Sequence, residues 1–443
     1  MMLFVSAFQC RKEISMRRIN WESPNAKLLA CLFWIALPPV LVQAQQPPAT
    51  TVYEGARLIT ADGSAPIENS AFVVQNGRFT AVGRKGQLKA PAGAAHVDLT
   101  GKTVMPAIID AHKHLAVTRD ALIDQLQHLA YYGIGTTMSL GQDTGDEVYK
   151  VRAETIPNAA RFHTAGRGLT GPEPGRSQAP YWVTSEAEAR KDVDEDAAKK
   201  VDIVKFWVDD RDHTVTKLSP ELYRAGIDEA HKHHLRTIAH IFTLDDAKAT
   251  LRAGIDNFAH SVRDKDVDDE YIKLIKAKPG FIVDPNLPDR GVKVDRSWLR
   301  DSMTPGDFAK VQAESKDDPK AQQFFGIQCR NLTRVNKEGI KVALGSDGPI
   351  PWAAHEEMAD MAGCGMTPAE VIVAATRNAA ALIGITDTGT VAPRKVADFL
   401  VLDANPLDDI TNTRKINAVY LRGAAVDRAG LRTRFIGGAT SSK

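Results

Sequence analysis

Between about residues 105 and 385 the chain alternates short apolar runs with amphipathic stretches, and this alternation restricts the fold more than any other feature. The apolar runs ending at Ile109, Leu140, Ala165, Trp207, Ile241, Val262, Leu287 and Leu344 read as strands. Stretches of helical periodicity lie between them, for example at 185–200, 220–234, 244–253 and 267–278. Continuous apolar strands that alternate with helices mark a parallel sheet covered on both faces. Eight such units predict an α/β fold, a (β/α)8 TIM barrel over residues 105–387. The connection 288–338 is long for one strand-to-helix link and predicts an insertion near the barrel mouth.

Both flanks are β-rich. Ala71–Val74 and Arg78–Val82 sit on either side of Asn76-Gly77, a two-residue hairpin signal. Near the other end, 398–402 and 418–421 have the same character. Segments 51–104 and 388–435 therefore predict one small β-sandwich domain built from both chain ends. Before them, Arg17, Arg18 and Lys27 precede a mostly apolar run and Val42-Gln43-Ala44, a small-residue cleavage pattern. Residues 1–44 read as a signal peptide, with Met16 an alternative start. Export to the periplasm or medium follows, with no stable membrane insertion after cleavage.

Fifty-six basic and 55 acidic residues leave a net charge of +1, with no basic footprint for nucleic acid. The expected partner is a small-molecule substrate, and homo-oligomerisation stays open. Of four cysteines, Cys10 and Cys31 fall in the leader, while Cys329 and Cys364 lie far apart in sequence. That excludes a disulfide scaffold and any CxxC site.

Catalytic groups of such a barrel gather at the C-terminal ends of its strands. The first strand ends in Asp110-Ala111-His112-Lys113-His114, and two histidines two apart on an extended segment point to one side. So short a motif also fits a pair of solvated histidines. His240 and His260 close the fifth and sixth strands, where neutral imidazole suits either a metal ligand or a satisfied core position. Lys205 lies inside Ile203-Val204-Lys205-Phe206-Trp207. A buried ammonium there is costly, so three readings stand: a CO2-derived carbamate bridging two metals, an ion pair, or an outward-facing lysine. Asp347, in Gly345-Ser346-Asp347-Gly348-Pro349, fits a metal ligand and proton acceptor, or a turn-forming aspartate. His163, Arg167, Tyr181 and His213 are candidate substrate-orienting groups at the mouth, each equally explicable as a loop polar residue.

The ordered set 109–114, Lys205, His240, His260 and Asp347, with 365–370, 374–380 and 396–402, resembles the amidohydrolase superfamily. The likeness spans residues 51–430 and is closest to the imidazolonepropionase-like branch, with its dipeptidase and prolidase-like members. The resemblance implies one divalent ion, zinc by expectation, on His112, His114 and Asp347, and a second on His240 and His260. Carbamylated Lys205 and a hydroxide would bridge them, with Asp347 as general base and then general acid. It implies hydrolysis of amide-type C–N bonds in dipeptides, N-acyl amino acids or cyclic amides. Lactone or ester hydrolysis, mononuclear deamination and a non-catalytic binding barrel are the alternatives. Ile241-Phe242-Thr243 departs from the small residues many relatives carry after the fifth-strand histidine, and predicts a differently shaped pocket.

Overall fold

The computed structural model describes residues 50–437. The expected signal segment lies outside the described residues. Among them, no helix is long and apolar enough to cross a membrane.

The architecture is mixed α/β. Apolar β-prone segments in the middle of the chain form parallel ladders. Strands Ile108–Lys113, Ile134–Ser139 and Arg161–Thr164 make a three-stranded sheet. Val204–Val208, Thr237–Ile241, Asn257–Ala259, Ile282–Asp284 and Lys341–Val342 continue in sequence order within a seven-stranded one. Backbone hydrogen bonds join the two sheets at both edges. Ala111 N–H donates to Leu344 O (2.9 Å) and Asp347 N–H to His112 O (2.8 Å) on one side, and Gly168 N–H donates to Gly141 O (2.8 Å) on the other. The strands Asn257–Ala259, Ile282–Asp284 and Lys341–Val342 are shorter than the apolar runs suggest, because the residues after 259, 284 and 342 leave the ladder.

Inward residues of successive strands, among them Ile109, Met138, Ile203, Ile238, Ile282 and Ala343, form one apolar cluster with Ala379, Leu382 and Ile383. Side chains two apart share a strand face. Lys205, His240 and Asp284 therefore stand on the same side as Ile203, Ile238 and Ile282, one pleat further along. A polar layer on an apolar one is what places these groups together.

Asn76 and Gly77 both take positive φ, 52° and 72°, and join Ser70–Gln75 to Arg78–Arg84 as the hairpin signal predicts. Thr103–Pro106 pairs with Phe399–Leu402, which pairs with Ile416–Leu421, so early and late segments share one five-stranded sheet. Tyr53 and Phe72 of the neighbouring four-stranded sheet pack on Phe399 at 5.2 and 5.3 Å between ring centroids. The late segment ends in a helix, Arg428–Gly437, that the β reading of 388–435 did not foresee.

The long connection 288–338 carries elements of its own, and it also holds one feature the cysteine spacing did not indicate. The segment is mostly helical, with a 3-10 turn at Ser297–Ser302 and helices Pro305–Glu314 and Pro319–Lys337. Its last helix is stapled by a Cys329–Cys364 disulfide to the helix end after the eighth strand. Among the described residues this is a single bridge, so the two cysteines read as far apart in sequence are paired. A separation of 35 residues carries no local sign of a contact between the middle of one helix and the end of another.

Candidate active site

The strand ends deliver the six expected residues to one place. His112 and His114 lie with their rings 5.3 Å apart, His112 and His260 at 5.1 Å, and His240 and His260 at 4.5 Å. Asp347 stands among them. Its Oδ1 is 3.2 Å from His114 Nε2 and 3.8 Å from His112 Nε2, and its Oδ2 is 3.9 Å from His260 Nε2. One ligand atom each from His112, His260 and Asp347 falls within a 4.8 Å sphere of mutual distances, close enough to hold a single cation.

Burial fixes the charge states. Desolvation holds His112 and His260 well below the ordinary imidazole value and His240 at about 3, so these rings are neutral near pH 7. Burial pushes the other way on Asp347, but His112 and His114 outweigh it and hold the carboxyl well below the usual carboxylate range. Neutral imidazoles around an ionised carboxylate are a donor set for a divalent ion.

Lys205 is fully buried, which removes the outward-facing reading. Its Nζ has no hydrogen-bond partner, and burial lowers its pKa to about 7. Lys113, buried to the same degree, is a useful contrast. Its ammonium donates to Ser346 Oγ (3.0 Å) and Ile350 O (2.7 Å) and lies 3.7 Å from Asp110. One buried lysine is saturated with hydrogen bonds, and the other makes none and lies 5.2 Å over the Trp207 ring. His112 Nε2 and His114 Nδ1 are also buried without partners. Unsatisfied buried polar atoms are rare and ask for a missing ligand. The Lys205 chain has room because Gly168 lines it, where a Cβ would fall 2.9 Å from Lys205 O and 3.0 Å from its Cγ.

Several residues of the site escaped the sequence reading. Asn286 Oδ1 lies 2.7 Å from His112 Nδ1 and fixes that ring. Asp284 is fully buried with neither oxygen hydrogen-bonded, its Oδ2 3.5 Å from His112 Nδ1, and burial together with Asp110 raises its pKa far above the carboxylate range. The signal was visible as Asp284-Pro285-Asn286 closing an apolar strand. His240 Nε2 is 2.9 Å from Asp209, which is in turn held by Arg211 at 2.9 Å. Burial alone would raise Asp209; the His240 contact reverses this and leaves it ionised.

The four candidate substrate residues lie elsewhere. His163 Nδ1 meets Asp202 at 2.8 Å. Arg167 donates to the carbonyls of Gln178 and Ala179 and covers the Tyr181 ring at 3.9 Å. The Tyr181 hydroxyl donates to Glu195 at 3.0 Å, and the His213 side chain is 92% exposed beside Asp210. None of them touches the histidine cluster.

The Amidohydrolase family profile matches residues 103–426, most of the chain and every residue of the cluster. The chain belongs to the amidohydrolase family. Among curated relatives it is 24% identical to an imidazolonepropionase of Deinococcus radiodurans, over 81% of this chain and 92% of that one. It is 23% identical to an enamidase of Eubacterium barkeri, over 82% and 88% respectively. Among solved structures, a candidate prolidase from Bifidobacterium longum superposes with a TM-score of 0.71 at 25% identity, covering 87% of this chain and 98% of its own. This amidohydrolase falls in the imidazolonepropionase-like branch, and it is a hydrolase acting on C–N bonds.

Proposed function

We propose that this amidohydrolase is exported and cleaves amide-type C–N bonds of small molecules, such as dipeptides, N-acyl amino acids or cyclic amides, at a site for two divalent ions. The observation that carries the proposal is Lys205, a bare buried amine facing neutral imidazoles and an ionised aspartate. The neutral form of an amine with a pKa near 7 can add to CO2 with release of one proton, and the carbamate so formed would offer two oxygens sharing one negative charge to a bound metal. His112, His114 and Asp347 would hold one ion, and His240 and His260 the other. Imidazole and carboxylate donors favour zinc.

When bound, the ions supply hydroxide at neutral pH and polarise the scissile carbonyl. The chain provides the rest. Asn286 and Asp209 orient the rings of His112 and His240, as outer partners of ligands do. Asp347, the most accessible member at 41% side-chain exposure, accepts the proton of the attacking water and passes it to the leaving nitrogen. Trp207, stacked 6.3 Å from His114, shields the layer beneath from solvent.

The fold reading that accompanies this function is a closed (β/α)8 barrel with a small β-sandwich beside it. The edge-joining hydrogen bonds support closure, and the five-stranded sheet supports a sandwich drawing on both ends. Export is supported by the Cys329–Cys364 bond, since such bonds persist in oxidising compartments.

Metal analysis of protein produced in zinc-replete medium tests the site, with close to two equivalents expected. Protein that holds none would refute it. A screen against dipeptides, N-acyl amino acids and lactones, read by product mass, then separates amide from ester chemistry.

A further inference from the structure

Of the guanidinium groups around the cluster, Arg263 makes no close ion pair and feels Asp347 and Asp209 only at longer range. Arg211 is neutralised by Asp209 at 2.9 Å and Glu173 at 3.3 Å. Arg263, three residues beyond His260, makes no ion pair within 4.0 Å among the described residues. Its Nε is buried without a hydrogen-bond partner. Its single side-chain contact is Nη2 to His260 Nδ1 at 2.5 Å. Its backbone N–H is tied to Phe242 O at 2.8 Å, which fixes where the side chain starts.

That contact has a consequence for the tautomer. A guanidinium donates and never accepts. His260 Nδ1 must therefore be the acceptor, and the ring proton then sits on Nε2, the nitrogen that faces Asp347. A ring that ligates through Nε2 carries its proton on Nδ1 and has nothing to offer Arg263. The two arrangements exclude one another, so in the ligating state the guanidinium gives up its one side-chain hydrogen bond and keeps only the longer-range attraction of Asp347 and Asp209. Arg263 is partly buried, and a largely desolvated cation in that condition is costly unless an anion completes it.

We propose that Arg263 is the receptor for a carboxylate of the substrate, and that this enzyme acts on amides bearing a carboxylate next to the scissile nitrogen, as N-acyl α-amino acids and dipeptides do. The proposal rests on the metal-site reading above. Adjacency follows from position: a group held by Arg263 lies beside His260, within the cluster and not at a distant subsite. Phe242, whose ring stacks at 6.2 Å on Phe324 of the Pro319–Lys337 helix, adds an aromatic wall after the fifth strand. It suits a carboxylate carried on an apolar residue. Planar bidentate pairing of guanidinium with carboxylate supplies the selectivity.

The test uses zinc-loaded enzyme with N-acetyl-L-phenylalanine and its primary amide as paired substrates. Calorimetric binding of L-phenylalanine and L-phenylalaninamide is the second readout. Wild type should prefer the acid in both, by about 30-fold or more, the cost of truncating one partner of a desolvated charge pair. In R263M the acid-to-amide ratio should collapse towards one with zinc content retained, and R263K should recover part of it. A wild-type ratio near one overturns the proposal, as does an R263M protein that loses both ligands in proportion. If R263M fails to fold, the wild-type ratios alone decide. Enzyme that hydrolyses neither substrate refutes the amide reading, and the binding ratio still decides the role of Arg263.

Discussion

Replacing Lys205 by methionine should make the metal-free protein more stable. The side chain is fully buried, and its amine pKa falls from 10.5 to about 7 because burial disfavours the ammonium. Each unit of that fall corresponds to about 1.4 kcal/mol, so the bare lysine costs the fold ~5 kcal/mol at and below pH 7. Between pH 7 and 10.5 the unfolded chain still binds a proton that the folded chain has released. Stability of the wild type therefore rises with pH over that window, and the penalty vanishes above it. Methionine has a similar length and no charge, and repacking it costs about 1 kcal/mol. Urea unfolding of chelator-treated, CO2-depleted protein should then show K205M ahead by about 4 kcal/mol at pH 7, with an unchanged m-value. The gap should shrink steadily towards pH 10. The same substitution should abolish zinc retention and turnover in the loaded enzyme, and short carboxylates should restore part of both in K205A. A K205M protein that is less stable than wild type at pH 7, or a gap that stays constant with pH, would show that Lys205 has a partner and refute the reasoning.

Three other perturbations have defined outcomes. In G345A the new Cβ would overlap the Asp284 carboxylate and the His112 Cβ; a loss of 1–3 kcal/mol, roughly the cost of overpacking, should appear in thermal unfolding together with weakened zinc binding. In D209N the hydrogen bond to His240 Nε2 loses its charge; zinc affinity measured by competition with a chelator should fall by about 10- to 100-fold, as for other outer partners of metal ligands. Breaking Cys329–Cys364, which closes 35 residues, should lower unfolding stability by about 4 kcal/mol on chain entropy; the double serine variant and the reduced wild type should agree, and an unchanged midpoint would show that the bond does not form.

Particular residues show how far sequence carries this protein. His112, His240, His260 and Asp347 were legible because each closes an apolar run, and strand ends of a parallel sheet converge by topology. Lys205 was visible as a charge in a core strand, but its direction was not. The two-residue period cannot choose a face when both faces are apolar, and only the registration of Lys205 with Ile203 decides it. Asn286 was illegible for another reason. Its role depends on the Nδ1 of a ring 174 positions away, and no local pattern encodes such a contact. The candidate substrate-orienting residues are held by neighbours outside the histidine cluster, and sequence spacing does not encode those neighbours. His163 precedes the end of its strand, where its neighbour is Asp202, and Arg167 in the loop beyond it braces Tyr181 of the short strand Tyr181–Trp182.

The backbone of the site explains why its composition alone says so little. His260, Asn286 and Asp347 have φ of 82°, 41° and 55°. Non-glycine residues held there cost of order 1–3 kcal/mol each. In each case the residue follows a strand that has just left its ladder, and the turn swings a side chain inward that an extended continuation would send along the strand. His260 N–H is captured by Asp284 O at 2.7 Å and Asp347 N–H by His112 O at 2.8 Å. The strained residues are thus anchored by neighbouring strand ends that themselves carry site residues. Substituting glycine at His260 or Asp347 would relieve the strain and remove the function together. The sheet around them supplies the stability that offsets this cost, and the site can be strained only because two ladders meet at His112.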